Sequence, residues 1–168
     1  MAFYIVNNNF ISFALYEDLI QRDQRLVEAN EGLDTTTIDE ALAQSSQRIL
    51  TKIRNTNWWK EYQFARNSSL NNDVRLLPAV NALNIKAREQ EFKDLNIYFA
   101  LNEYLLPSVA DFGNETSAEV VKIEFYRDQF NKLFDELIEA GDWYDFDADG
   151  TVETAERQPS VRNLIRVR

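Results

Sequence analysis

Ile85-Lys86-Ala87-Arg88-Glu89-Gln90-Glu91-Phe92-Lys93-Asp94-Leu95-Asn96-Ile97-Tyr98-Phe99-Ala100-Leu101-Asn102-Glu103-Tyr104-Leu105-Leu106 contains no glycine and no proline. Phe92, Leu95, Phe99 and Leu106 fall on one side of a helix with about 3.6 residues per turn, and Ile97, Leu101, Tyr104 and Leu105 lie beside them. So wide an apolar arc predicts a central helix, covered by neighbours on most of its circumference. Pro107 predicts an end or a kink, because it brings no N–H to the next turn.

Further helices follow on both sides. Toward the N-terminus, Thr37-Ile38-Asp39-Glu40 has the form of a capping box, in which the Thr hydroxyl and the Glu carboxylate satisfy free amides. The helix it opens runs to about Arg54, with Ile38, Leu42, Ile49 and Ile53 on one face. An earlier helix is expected from Phe13 to Ala29, capped by Ser12. Phe3-Tyr4-Ile5-Val6 suits a short strand or an extended arm. Trp58 to Phe64 suits a short helix or an irregular segment seated on the core by its aromatics, Asn67 to Asp73 a surface loop, and Pro78 an early helix position or a turn. Toward the C-terminus, Thr116-Ser117-Ala118-Glu119 is a second capping-box candidate. Its helix should end near Ala140 with Gly141 as the cap, burying Ile123, Tyr126, Phe130, Leu133, Phe134, Leu137 and Ile138.

The whole chain has 168 residues, 45% of them apolar, with only 4 Gly and 3 Pro. Few breakers and long periodic runs favour helices over a many-stranded sheet. The expected fold is all-α: a bundle of roughly four or five helices with an EF-hand-like loop and an extended C-terminal arm. One helical domain is expected over 1–156, including the acidic loop 145–156, with a basic arm over 157–168.

Composition excludes much chemistry. With no Cys and no His, the chain holds no disulfide, no Cys/His zinc site, no Ser-His-Asp triad and no imidazole base. No nucleophile motif is present, and nothing separates a catalytic carboxylate pair from ordinary helix-surface charges, so an enzyme is not expected. A net charge of −10 is a poor match to a phosphate backbone. Trp58, Trp59, Tyr62 and Phe64 suit a core or subunit contact better than a base-stacking platform, since few basic residues accompany them. No apolar run approaches the ~20 residues of a membrane span. The N-terminus lacks the pattern of a secretory signal, so a soluble, intracellularly made protein is the expectation.

Asp145-Phe146-Asp147-Ala148-Asp149-Gly150-Thr151-Val152-Glu153-Thr154-Ala155-Glu156 carries the most specific motif. Carboxylates stand at the first, third, fifth, ninth and twelfth positions, a glycine at the sixth and a β-branched residue at the eighth. That is the ligand spacing of an EF-hand calcium loop. Ca²⁺ takes six to eight oxygens, so acids on alternate residues can wrap one ion. Asp145, Asp147, Asp149, Glu153 and Glu156 are the candidate side-chain ligands, and Thr151 would offer its carbonyl. A solvated acidic turn is the alternative. The flanks are poor for an EF-hand: Gly141 interrupts the entering helix, Pro159 truncates the exiting one, and no second loop pairs with it. An ion here suits a structural role better than a sensor, which needs a helix pair that opens a groove.

Charge then reverses. Asp135 to Glu156 holds nine acids and no base, and Arg157 to Arg168 holds four Arg and no acid. From Leu164 onward Arg and apolar residues alternate, which suits an extended strand showing one face to a partner. Arg162, Leu164, Ile165, Arg166, Val167 and Arg168 are the candidate partner-binding residues of a docking arm; a frayed basic end is the alternative.

Three segments together resemble the small head–tail adaptor (connector, or neck) proteins of tailed bacteriophages: Thr37 to Ile49, the pair Trp58-Trp59, and Trp143 through Arg168. The resemblance implies a helical virion structural protein, made in the host cytoplasm and present in many copies as a ring in the neck. It implies portal and other neck or tail proteins as partners, and DNA passing through the channel without sequence-specific binding. The acidic loop and the long helix after Thr116 are not general marks of that family. A stand-alone calcium-binding module, or another tail or baseplate protein, is the alternative reading.

Overall fold

In the computed structural model, which describes residues 3–6, 9–29, 33–111, 113 and 118–157 (side chains of 27–29, 155 and 157 excepted), the chain is mostly helical with a small two-stranded sheet. The described chain forms two compact units. Unit 1 comprises Met1–Ile49 and Arg88–Leu137, and unit 2 comprises Leu50–Ala87 and Ile138–Arg168. No helix among the described residues is long and apolar enough to cross a membrane.

Unit 1 opens with a hairpin. Strands β1 (Tyr4–Val6) and β2 (Asn9–Ser12) pair antiparallel, with Ile5 opposite Phe10. The segment expected as a strand or an arm is therefore a strand. Phe13 anchors it: its ring centroid lies 4.9 Å from Phe3, 4.7 Å from Phe10 and 5.2 Å from Phe92.

The expected helix 13–29 is two helices, α1 (Tyr16–Arg22) and α2 (Gln24–Ala29). Ser12 does not cap α1, because it belongs to β2. Asp18 does that work, accepting the Leu15 backbone N–H at 2.9 Å. The chain breaks at Asp23, whose buried carboxylate takes Lys122 Nζ at 2.7 Å and the Tyr126 hydroxyl at 3.4 Å. Asp is a weak helix former, and here its side chain is committed to groups distant in sequence.

Helix α3 (Thr35–Arg54) starts two residues before the expected capping box. Thr37 lies inside the helix, and Asp34 Oδ1 accepts the Thr37 N–H at 2.8 Å. A bond from the Thr37 hydroxyl, then the one from its N–H, holds the Asp34 carboxyl below its usual range. Ile38 and Leu42 join Leu19, Leu26, Leu33, Ile97, Leu101, Leu105, Leu106, Ile123 and Tyr126 in one apolar core.

The central helix is present but shorter and segmented: α5 (Glu89–Ala100), one widened π turn (Leu101–Leu105), then α6 (Leu106–Val109). It starts at Glu89 rather than Ile85, because Arg88 adopts a left-handed φ of 59°. A regular turn would set the Pro107 ring against the carbonyl four residues earlier; the wide turn ahead of it avoids that clash. Helix α7 (Ala118–Ala140) buries Ile123, Tyr126, Phe130, Phe134 and Leu137 as expected, with Leu133 and Ile138 half-buried. The capping residues proposed for it, Thr116 and Ser117, lie outside the described residues.

Unit 2 holds α4 (Asn57–Arg66), so Trp58 to Phe64 is helical. Thr56 caps it through the Trp59 N–H. From Asn67 to Ile85 the chain makes three short 3₁₀ turns. Each is opened by an Asn or Asp accepting an amide two residues on: Asn67 from Ser69, Asp73 from Arg75, Asn81 from Leu83. Pro78 lies between turns, not in a helix.

Burial, then the Asp23 carboxylate, push the Tyr126 phenol up to about 12. A phenol raised in the folded chain gives stability that is intact below its unfolded value of 10.0 and is lost as pH rises toward 12. We expect Asp23→Ala to cost about 1–2 kcal/mol in denaturant unfolding. We also expect it to move Tyr126 part of the way back toward 10 in an ultraviolet titration, so that less stability is lost between pH 10 and pH 12.

Candidate acidic-loop site

After α7 the chain turns at Gly141, which adopts φ 59°, a conformation that favours glycine. Ile85 and Tyr144 form an isolated antiparallel bridge. Lys86 N–H donates to the Trp143 carbonyl at 2.9 Å, and Asp145 N–H donates to the Asn84 carbonyl at 2.8 Å. Tyr144 Oη accepts the Asn81 N–H at 3.2 Å. The acidic loop is thus entered from a short extended tether. This is the physical departure from an EF-hand, in which a helix delivers the first ligand.

Inside the loop the backbone is organised by its own acids. Asp145 Oδ2 accepts the Gly150 N–H at 2.8 Å, across a turn that Gly150 makes at φ 100°. Asp147 Oδ1 accepts the Asp149 N–H at 3.3 Å, and Asp149 Oδ1 accepts Thr151 N–H at 2.8 Å and Thr151 Oγ1–H at 2.9 Å. The Thr151 bonds hold the Asp149 carboxyl below its usual range. Carboxylate oxygens of Asp145, Asp147 and Asp149 gather within 4.8 Å of one another. Asp145 is fully buried, and its Oδ1 has no hydrogen-bond partner among the described residues.

Glu156 has a different place. It is 2% exposed, on the short helix α8 (Thr154–Arg157), and is held by three amides. Oε1 accepts Phe146 N–H at 2.7 Å and Asp147 N–H at 3.2 Å, and Oε2 accepts Glu153 N–H at 2.9 Å. The last bond is half of a capping box for α8. Of the predicted side-chain ligands, Asp145, Asp147 and Asp149 converge, Glu156 closes the loop on its backbone, and Glu153 is exposed. The Thr151 hydroxyl is spent on Asp149. Arg162, Leu164, Ile165, Arg166, Val167 and Arg168 lie outside the described residues.

Sequence reading missed what the loop rests on. Phe146, between two ligand positions, stacks on Tyr62 with ring centroids 3.3 Å apart and planes 15° from parallel. Trp59 lies 5.5 Å away, Trp58 5.4 Å and Tyr144 4.7 Å, while Trp143 packs on Trp58 at 4.9 Å. Trp58, Trp59 and Tyr62 of α4 are packed by this cluster, not displayed in a row. Burial pushes the Tyr62 phenol up to about 12, against the pull of Arg66, with the Glu156 and Asp147 carboxylates adding to the rise. The lone aromatic at the second loop position was the available signal.

Unit 1 offers a polar cleft of about 270 Å³ lined by Asp18, Gln21, Arg22, Gln90, Asp94 and Ile97. Its charges are already paired: Arg22 with Asp94 at 2.6 Å, and Asp18 with Lys93 at 3.0 Å. Compared with models of known families, with curated proteins and with solved structures, the chain matches none.

Glu156→Ala orphans three amides at once. We expect it to lower stability in metal-free buffer by about 3 kcal/mol, read by denaturant unfolding, whereas Glu153→Ala should change it by less than about 0.5 kcal/mol.

Proposed function

We propose that this chain is a virion structural protein: a head–tail adaptor that assembles as a ring in the phage neck between portal and tail components and helps form the DNA channel. It works by assembly rather than catalysis, and its helices pack as a bundle. The resemblance carried by Thr37 to Ile49, Trp58-Trp59 and Trp143 to Arg168 supports this reading. The single structural observation in its favour is apolar side chains left in solvent. Val121 and Phe125, one turn apart on α7, are 57% and 54% exposed, and Val74 and Leu76 of unit 2 are 50% and 55% exposed. Such surfaces suit protein partners, and a net charge of −10 keeps DNA from sticking to the channel.

In the same reading, loop 145–156 takes a calcium ion as a structural staple. The residues present fit a hard cation: three carboxylates converge, and one carries a buried oxygen that no other described residue satisfies. The staple lies directly before the basic arm, which then grips a neighbouring subunit or the portal, and repeated copies multiply weak arm contacts. A stand-alone calcium-binding module is the second reading, favoured by the same Asp145 oxygen.

Native mass spectrometry and negative-stain microscopy of the full chain, alone and with a portal protein, separate the two. Rings or portal complexes are expected; a chain that stays monomeric in both conditions overturns the adaptor. Calcium at a hundredfold excess over its dissociation constant should raise the melting temperature by about 5–10 °C, and Asp147→Ala should remove that rise. Truncation after Gln158 should leave the circular dichroism unchanged and abolish partner binding.

A further inference from the structure

We infer that a cation in loop 145–156 closes unit 2 through Phe146, so that ion binding and packing of the aromatic cluster on α4 form one equilibrium. The inference rests on the calcium reading above.

Phe146 is the residue between the first two acids of the converging trio. Both of its neighbours are held by their backbone: Asp145 N–H by the Asn84 carbonyl, and Asp147 N–H by Glu156, which also holds Phe146 N–H. When the carboxylates of Asp145 and Asp147 converge on one point, the peptide between them has no freedom left, and its ring is delivered onto Tyr62. The loop from Asp145 to Glu156 holds five acids and no Lys or Arg. With no cation, repulsion among the trio works against this closure and loosens Phe146 on Tyr62, Trp59 and Trp58. With a cation, the same charges pull the loop shut.

The tether extends the effect. Asp145 N–H, the Trp143 carbonyl and Tyr144 Oη hold the segment from Asn81 to Lys86. An ion that fixes Asp145 therefore orders three stretches of unit 2: α4, residues 81–86, and the loop. Linkage makes the coupling reciprocal. If the ion orders the cluster, damage to the cluster weakens the ion.

All three tryptophans, Trp58, Trp59 and Trp143, belong to unit 2. Their emission therefore reports on that unit. The full chain, stripped by a chelator, is titrated with calcium chloride and followed by calorimetry, tryptophan emission and amide hydrogen exchange. We expect emission, and protection in 57–66 and 81–86, to change at the calorimetric midpoint, with protection in 89–100 unmoved. Tyr62→Leu removes the stacking partner without touching a carboxylate, and should weaken calcium binding about tenfold. Phe146→Leu should do the same to a smaller extent, and it decides the matter if circular dichroism shows Tyr62→Leu unfolded. Absence of both heat and a melting shift overturns the calcium reading itself. Heat with unchanged emission and protection, or undiminished affinity in the folded variants, overturns the coupling and leaves calcium binding standing.

Discussion

Three carboxylates held within 4.8 Å, one of them fully buried, constrain everything around them in unit 2. Like charges this close repel, and a buried acceptor with no partner forfeits its hydration. The fold meets part of that cost from the backbone. Gly150, Asp149 and Thr151 turn their amides onto the acids, and Glu156 gathers three more. Among the described residues, Asp145 Oδ1 is the carboxylate oxygen of the trio left buried without a partner. In the reading proposed above, a divalent ion would answer it, because it supplies the positive charge that loop 145–156 lacks.

The loop leans on aromatic packing where an EF-hand would lean on helices. The Ile85–Tyr144 bridge and the Asn84–Asp145 bond fix where the loop begins, and Phe146 on Tyr62 fixes its orientation. Burial of large rings is the dominant favourable term available to so small a region. In unit 1 the long helices bury both aliphatic and aromatic side chains, and among its buried polar residues Asp23 gives up helical geometry to bind Lys122 and Tyr126.

How much was legible from sequence depended on the range of the interaction. Periodicity placed α3, α5 and α7 within a few residues, because amphipathic repetition is a local signal. It missed the break at Asp23, whose cause lies on α7. It misplaced the cap of α3, because Asp34 competes with Thr37 for the same end of the helix and wins. It started the central helix too early, because Ile85 and Lys86 are claimed by Tyr144 and Trp143, more than fifty residues along the chain. In the loop, the spacing of Asp145, Asp147 and Asp149 was readable, since alternate residues on a tight turn point the same way. The amide-bound state of Glu156 was not.

By itself, the sequence determined a helical chain without thiol or imidazole chemistry, with an acid-rich turn followed by a basic stretch. Those are properties of composition and of spacing within a dozen residues. Only the tertiary structure decided that Asp145 would be buried with an oxygen to spare, that Asn84 would hold its amide, and that Phe146 would land on Tyr62. Each of these joins segments far apart in sequence, and such pairings are selected by packing, which no local pattern records.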